Sequence, residues 1–364
     1  MVNFRYVLAW TLLLFMGANA AAQGKYWYKS FSGTIDKYPF TLHLHRMDHG
    51  YTGYYYYTKA QRPIYLSGDD TTTAGKIRLQ AYVPGTESDY ETFTLDLKGD
   101  SLTGAWIKDH TGNQDFPVKA GPQTAVTLSF DYVVTSGSEK LRPKLGSSPG
   151  ASYEAATVWP KGNSGASVNL KKILQDLMYV KGTGDIGPLL LAQKKRFFAD
   201  YYSTHKNVPD SELVEFTSGY TEDQTTHTTV MYHSGSILTL ANMSYAYTGG
   251  AHGNYGTHYA SVNPATGKAY KLADVLSPAG KKALNSLIDK NFRKERELSA
   301  KESLKEAGLF EDTITANENF FLTGSGIGFN YVPYEIGPYA MGEVIVFIPY
   351  TDFGQGGLNP SFKK

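Results

Sequence analysis

The chain has no cysteine in 364 residues. That excludes a disulfide scaffold, a thiolate metal centre and a cysteine nucleophile. It also excludes a lipid anchor on an N-terminal cysteine. An excess of charge is missing too: 35 Lys and Arg against 34 Asp and Glu leave a formal charge of +1. No broad field draws such a chain to nucleic acid or to an anionic membrane. Beyond the first two dozen residues no apolar run approaches the ~18 residues of a membrane-spanning helix. The common catalytic motifs are also absent. Gly162-Asn163-Ser164-Gly165-Ala166 lacks the last glycine of G-x-S-x-G. Gly324-Ser325-Gly326-Ile327-Gly328-Phe329 lacks the last glycine of the dinucleotide fingerprint and precedes a strand, not a helix. There is no Walker A, H-E-x-x-H or EF-hand pattern, and neither a cofactor nor a metal is expected.

What is present is apolar and aromatic: 41% hydrophobic residues, with 28 tyrosines and 37 glycines. That is ample for packed cores in two or three domains and unlike a disordered chain. The N-terminus carries Arg5, an apolar stretch from Tyr6 to Met16, then Ala18-Asn19-Ala20 and Ala20-Ala21-Ala22. This order is that of a signal peptide over residues 1–22. The mature chain is expected outside the cytoplasm, periplasmic or extracellular, not lipid-anchored and stabilised by packing alone.

Periodicity divides the rest and predicts an α+β protein. Residues 23–122 read as an all-β meander, a small barrel or sandwich. Phe40-Thr41-Leu42-His43-Leu44-His45 and Phe93-Thr94-Leu95-Asp96-Leu97 alternate, with turns such as Lys98-Gly99-Asp100 between runs. A two-part α+β unit follows, 123–244 and 245–364, with antiparallel sheets and packed helices. Ser136-Gly137-Ser138 and Gly146–Gly150 read as loops, after a strand over Thr124–Thr135. Leu170, Ile173, Leu174, Leu177 and Met178 mark one helix; Leu190 to Tyr201 marks another. Strands are expected around Leu213–Tyr220, Thr226–His233 and Ile237–Tyr247. A hairpin turn is expected at Asn263–Gly267, and a helix capped by Ser277 with Pro278 first. Phe320–Leu322, Gly326–Tyr331 and Glu343–Pro349 read as the last strands.

His43 and His45 share one face of a strand, and the spacing places them on its wet side. His227 and His233 are likewise expected on an outer face. Two other segments stand out. Tyr245-Ala246-Tyr247-Thr248-Gly249-Gly250-Ala251-His252-Gly253-Asn254 runs strand tyrosines into a glycine turn that delivers a histidine and an asparagine. Tyr331–Gly342 holds Pro333, Tyr334, Glu335, Gly337, Pro338 and Tyr339, a rigid loop that displays tyrosine.

Together with Thr266-Gly267-Lys268 and Leu272-Ala273-Asp274-Val275-Leu276, these segments resemble one bacterial extracytoplasmic domain. It is the C-terminal domain of unknown function in RsiV-type anti-sigma factors. The resemblance covers Tyr245 to Phe353. Residues 124–244 are loosely similar to a companion domain also seen in PdaC-type peptidoglycan deacetylases; 24–120 matches neither. The resemblance implies the task of the anti-sigma ectodomain, which senses lysozyme by binding it. A transmembrane helix, a sigma-binding segment and a deacetylase domain are not in this sequence, so signalling and deacetylation are not carried over. The expectation is a non-enzymatic envelope binding protein for a lysozyme-like protein or a wall glycan. Tyr247, Gly249, Gly250, His252, Asn254, Tyr334, Glu335 and Tyr339 are its candidate contacts. Two alternatives stand beside it: a hydrolase with His252 as base and Glu335 or Asp274 as partner, or an architectural unit with binding on Tyr54–Tyr57 of the β domain.

Overall fold

The computed structural model describes residues 26–47, 50–82, 90–108, 115–124 and 128–362. The leader expected over 1–22 lies outside them. The first unit is a closed antiparallel barrel of eight strands in sequence order. They are β1 (Trp27–Ile35), β2 (Tyr38–Met47), β3 (Gly50–Tyr57), β4 (Ile64–Asp70), β5 (Lys76–Tyr82), β6 (Tyr90–Lys98), β7 (Ser101–Ile107) and β8 (Asp115–Pro122). Alternate residues fill its interior: Phe31 and Ile35, Phe40, Leu42 and Leu44, Leu79, Phe93 and Leu95, Leu102 and Val118 are buried. At the seam Gly33 pairs with Phe40 on one side and Ala120 on the other. A Cβ there would fall 1.9 Å from the Lys119 carbonyl oxygen and 2.5 Å from Ala120 Cα. Only glycine lets the barrel close at this point.

The second unit is a six-stranded sheet ordered β14-β13-β12-β11-β10-β9. Its strands are β9 (Phe130–Lys140), β10 (Gly150–Pro160), β11 (Glu222–Ser234), β12 (Ile237–Tyr247), β13 (Asn254–Asn263) and β14 (Lys268–Ala269). It is antiparallel except between β10 and β11. Those two are joined by α1 (Gly165–Leu177), α2 (Ile186–His205) and α3 (Asp210–Glu215), and a crossover returns a strand in the same direction. The helices cover one face through Leu170, Leu174, Leu190 and Phe198. β12 runs through position 244/245, so this sheet holds residues from both parts of the α+β unit.

Behind the other face lie α4 (Leu272–Val275), α5 (Pro278–Glu295) and a three-stranded sheet of β15 (Phe320–Leu322), β16 (Gly326–Tyr331) and β17 (Val344–Pro349). α5 starts as its sequence dictates: Ser277 Oγ accepts the Gly280 N–H at 3.1 Å, and Pro278 occupies the first turn. Leu284, Ile288 and Phe292, four apart, enter the core with Phe329, Val346 and Ile348. Among the described residues no helix is long and apolar enough to cross a membrane.

Three expectations are corrected. Residues 213–220 are helical, α3 and a 3-10 turn at Thr217–Tyr220, not a strand. Pro209 caps the start, and Asp210 and Glu212 sit in the first turn, where the helix dipole favours acids. Ser136, Gly137 and Ser138 are not a loop but lie inside β9, an edge strand paired with Tyr153 and its neighbours; the strand begins at Phe130, later than expected. The third correction concerns the histidines. His43, His45 and His233 are buried, not wet, and His227 is half-buried against Glu154 (2.8 Å).

The histidines are buried because the barrel docks on the sheet. Phe40, Leu42 and Leu44 point into the barrel, and the opposite face of β2 lies against β11. β10 accompanies β11 only as far as Thr228, and β11 bulges between Val230 and Tyr232. The Val230 N–H therefore needs a partner from elsewhere. It donates to His45 Nε2 of the barrel at 3.1 Å. The Tyr56 hydroxyl and the Gln123 amide both donate to the His233 carbonyl, at 2.9 and 3.1 Å. The Tyr28 hydroxyl donates to His43 Nδ1 at 2.9 Å, leaving His43 Nε2 to face the Tyr56 hydroxyl at 3.4 Å. An imidazole that accepts such a bond is neutral. Burial pushes His45 down to about 3, helped by the nearby His227, and His233 down to about 4. His43 is held well below its ordinary value by burial, then by His233 and His45.

Two outcomes are expected. Gly33→Ala will lower the stability of the chain by about 1–3 kcal/mol in denaturant titration, the cost of overpacking. Acid will destabilise the fold well before carboxylates titrate. Folded histidine values lie below the unfolded value of about 6.5, so stability is complete above that pH and declines below it. Each of the three contributes up to about 1.4 kcal/mol per pH unit. Thermal melts from pH 7 to 5 will show a falling midpoint, which replacement of His233 by Phe will flatten.

Candidate functional site

The two segments singled out in the sequence meet in space. After β12 the chain turns through Gly249 and Gly250, at φ +87° and +96°. A Cβ on Gly249 would sit 2.5 Å from the Gly219 carbonyl oxygen, so the turn requires glycine. The Tyr247 hydroxyl donates to the Gly250 carbonyl (2.9 Å), with the Ser218 carbonyl at 3.1 Å. This pins the turn from which His252 projects. Asn254 opens β13 opposite Ala246 and is exposed. From the other segment, a 3-10 turn at Tyr339–Met341 carries Tyr339. Its ring stacks on His252 with centroids 3.9 Å apart and planes 24° from parallel. Its hydroxyl donates to the Gly253 carbonyl at 2.9 Å.

Tyr334 completes the cluster. It is a non-glycine residue at φ +70°, in a turn where its N–H donates to the Gly337 carbonyl (3.1 Å) and that of Glu335 to the Val332 carbonyl (3.0 Å). Its ring is 52% exposed and lies 5.7 Å from that of Tyr339. His252 Nδ1 lies 3.0 Å from the Gly253 carbonyl, which can only accept, so Nδ1 carries the proton. Nε2 then faces the Tyr334 hydroxyl at 3.5 Å.

The carboxylates are used elsewhere. Glu335 accepts the Val332 N–H (3.0 Å) and the Asn317 side-chain amide (2.8 Å), which braces the loop. Asp274 accepts the Lys271 N–H (2.8 Å) and caps α4. Neither orients His252, whose two nitrogens meet a carbonyl and a phenol. The cluster formed is His252–Tyr334–Tyr339, a display of rings held by hydrogen bonds to backbone. Tyr55 and Tyr56 of the β3 run are buried, Tyr55 in the barrel core and Tyr56 in the C-terminal core.

A second feature escaped the sequence reading. Between the barrel and the α+β unit lies a cleft of about 1280 Å³. Its barrel wall carries Tyr54, Tyr65 and Tyr82; its floor includes Thr229, Met231 and Tyr259; its far wall includes Phe321, Ile345 and Phe347. Tyr65 and Tyr82 are near-parallel with centroids 6.3 Å apart, and Thr52 Oγ1 donates to the Tyr65 hydroxyl at 3.2 Å. Arg62 crosses the mouth to Glu295 (2.7 Å) and lies over the Phe347 ring (5.0 Å). Glu343 accepts from the Thr257 N–H and, at 3.3 Å, from Asn330 Nδ2. Tyr54 and Tyr259 hydrogen-bond to each other; burial, then neighbouring acidic groups including Glu343, hold both hydroxyls protonated well above the ordinary tyrosine range. The lining residues come from strands far apart in the chain, and no spacing in the sequence announces them. Among the described residues no group of His, Asp and Glu is arranged to hold a metal ion.

Comparison with known proteins gives one family. A search of curated proteins finds no match to the chain. The crystal structure of a DUF3298 family member from Bacteroides fragilis NCTC 9343 superposes with a TM-score of 0.58 at 22% identity, over 66% of this chain and 96% of that one. That likeness is one of fold alone. A DUF3298 family protein from Pseudomonas aeruginosa PAO1 aligns at 17% identity and a TM-score of 0.45, over 64% and 96% of the two chains. Residues 273–351, which carry Tyr334 and Tyr339, match the family described as "Protein of unknown function (DUF3298)", and a DUF3298 domain therefore forms the C-terminal part of this chain.

Proposed function

We propose that this chain is an exported, non-enzymatic binding protein of the bacterial cell envelope, and that its His252–Tyr334–Tyr339 cluster docks a lysozyme-like protein. The observation that carries the reading is Tyr334. A non-glycine residue at φ +70° costs on the order of 1–3 kcal/mol, and such strain persists where function requires it. Here the strain buries nothing, because the ring is 52% exposed. What the loop gains is an aromatic side chain displayed in one orientation beside two others. Tyrosine offers large contact area with few torsions to freeze, and it is enriched at the hot spots of interfaces. The resemblance to anti-sigma ectodomains that bind lysozyme, carried by these same segments, points to the partner. The N-terminal leader read from the sequence supplies the address. Glu335 serves the partner indirectly, by fixing the loop through Val332 and Asn317.

The test is biolayer interferometry of the folded mature chain against a panel of secreted lysozymes. Binding is expected to at least one, and Tyr334→Ala or Tyr339→Ala should each weaken it about tenfold or more, the scale of an interface hot spot. Because alanine at φ +70° keeps the backbone strain and the lost ring is half exposed, Tyr334→Ala should leave the thermal midpoint close to that of the wild type. A folded wild-type chain that binds none of them, or binding indifferent to both substitutions, contradicts the proposal.

A further inference from the structure

We infer that the cleft between the barrel and the α+β unit is a binding site for a neutral oligosaccharide, separate from the exposed ring cluster. Size comes first. At about 1280 Å³ the cleft exceeds the roughly 300–1,000 Å³ of ordinary small-molecule sites, so it admits several linked rings. Shape and chemistry come next. Tyr65 and Tyr82 form a near-parallel aromatic wall on the barrel. An aromatic face is electron-rich and meets the C–H face of a sugar ring favourably. The two rings are 41% and 53% exposed, so they are open to a ligand. Tyr65 is held in place by Thr52 and lies between its cross-strand neighbours Tyr54 and Tyr82, so the three strands present a continuous aromatic strip.

The polar groups fit the same ligand. A sugar bound by its faces presents hydroxyls at its edges, which need donors and acceptors at the cleft floor. Tyr54 and Tyr259, kept as phenols, offer both roles, and Glu343 is an acceptor pointing from the far side. Charge then excludes the commonest rival class. The lining holds two arginines, Arg62 and Arg296, against three glutamates, Glu295, Glu297 and Glu343, and Arg62 is already paired with Glu295. A phosphorylated or sulfated ligand would meet a surplus of negative charge, with one of the two guanidinium groups already committed to Glu295.

The test is isothermal titration of the full mature chain with chitotetraose, cellotetraose and a sulfated heparin tetrasaccharide. At least one neutral tetrasaccharide should bind and the sulfated one should not. Tyr65→Ala combined with Tyr82→Ala should weaken binding about tenfold or more, as should Ile345→Arg on the opposite wall, with folding checked by circular dichroism. Tyr65→Phe, which keeps the ring, should retain most of the affinity, and Tyr334→Ala should leave it unchanged. The inference is overturned if a folded chain binds neither neutral sugar at millimolar concentration, if only the sulfated one binds, or if binding ignores both wall substitutions. Because the lysozyme test reads Tyr334 and this one reads Tyr65, Tyr82 and Ile345, failure of one leaves the other standing.

Discussion

One hydrogen bond, from the Val230 N–H of the sheet to His45 Nε2 of the barrel, lies at the centre of the molecule. It joins residues 185 apart in sequence and serves a β11 amide beyond the end of its pairing with β10, beside the bulge. The bond works only with a neutral imidazole, because a protonated one has no lone pair to offer. Around it the Tyr56 hydroxyl and the Gln123 amide serve the His233 carbonyl, while His45 Nδ1, His233 Nδ1 and Gln123 Oε1 are buried without a hydrogen-bond partner. β2 is thus buried on both faces, one inside the barrel and one against the sheet. The cleft follows from this docking: its barrel wall is the continuation of the same surface through β3, β4 and β5, leaning over the sheet where contact ends. An interface that buries a histidine without its proton ties the geometry of the cleft to pH.

Tyrosine is used in two ways, and the difference is in its hydroxyl. Buried rings deliver the hydroxyl to a fixed acceptor: Tyr56 to the His233 carbonyl, Tyr201 to Tyr220, Tyr331 to Thr315 and Tyr350 to Thr323, and Tyr51, Tyr55 and Tyr153 to the side chains of Asp70, Glu91 and Gln193. In those places the residue is a core aromatic with a satisfied polar end. Tyr65, Tyr82 and Tyr334 expose their faces instead. The two exposed surfaces are neighbours, since Tyr255 lines the cleft and packs edge-on against Tyr339 at 5.7 Å. A chain with no cysteine and almost no net charge has few other means of gripping a partner, and aromatic area is what it has in quantity.

Much of this fold is legible in the sequence because local rules and tertiary packing agree. Ser277 and Pro278 announce α5, and strict alternation announces β2 and β6. Reading fails where a distant segment decides. The alternation of Phe40 to His45 distinguishes two faces of a strand, but only β11 makes the second face dry. Residues 213–220 carry apolar residues at mixed spacing, and Pro209 with its acidic first turn settles them as helix. The ring cluster was legible in composition, since glycine and proline mark both loops. The stacking of His252 on Tyr339 was not, because it depends on how two loops 87 positions apart come together. The cleft was least legible of all: its walls come from strands whose outward residues look, one at a time, like ordinary exposed tyrosines.

The most direct test of this architecture is the protonation and tautomer of His45, read by nitrogen-15 chemical shifts of the folded chain across pH 7 to 5. The docking described here requires a neutral ring through that range, protonated at Nδ1 and accepting at Nε2, with a hydrogen-bond coupling to the Val230 amide. A His45 that titrates near the ordinary value of about 6.5 while the protein stays folded, or that carries its proton on Nε2, would contradict it.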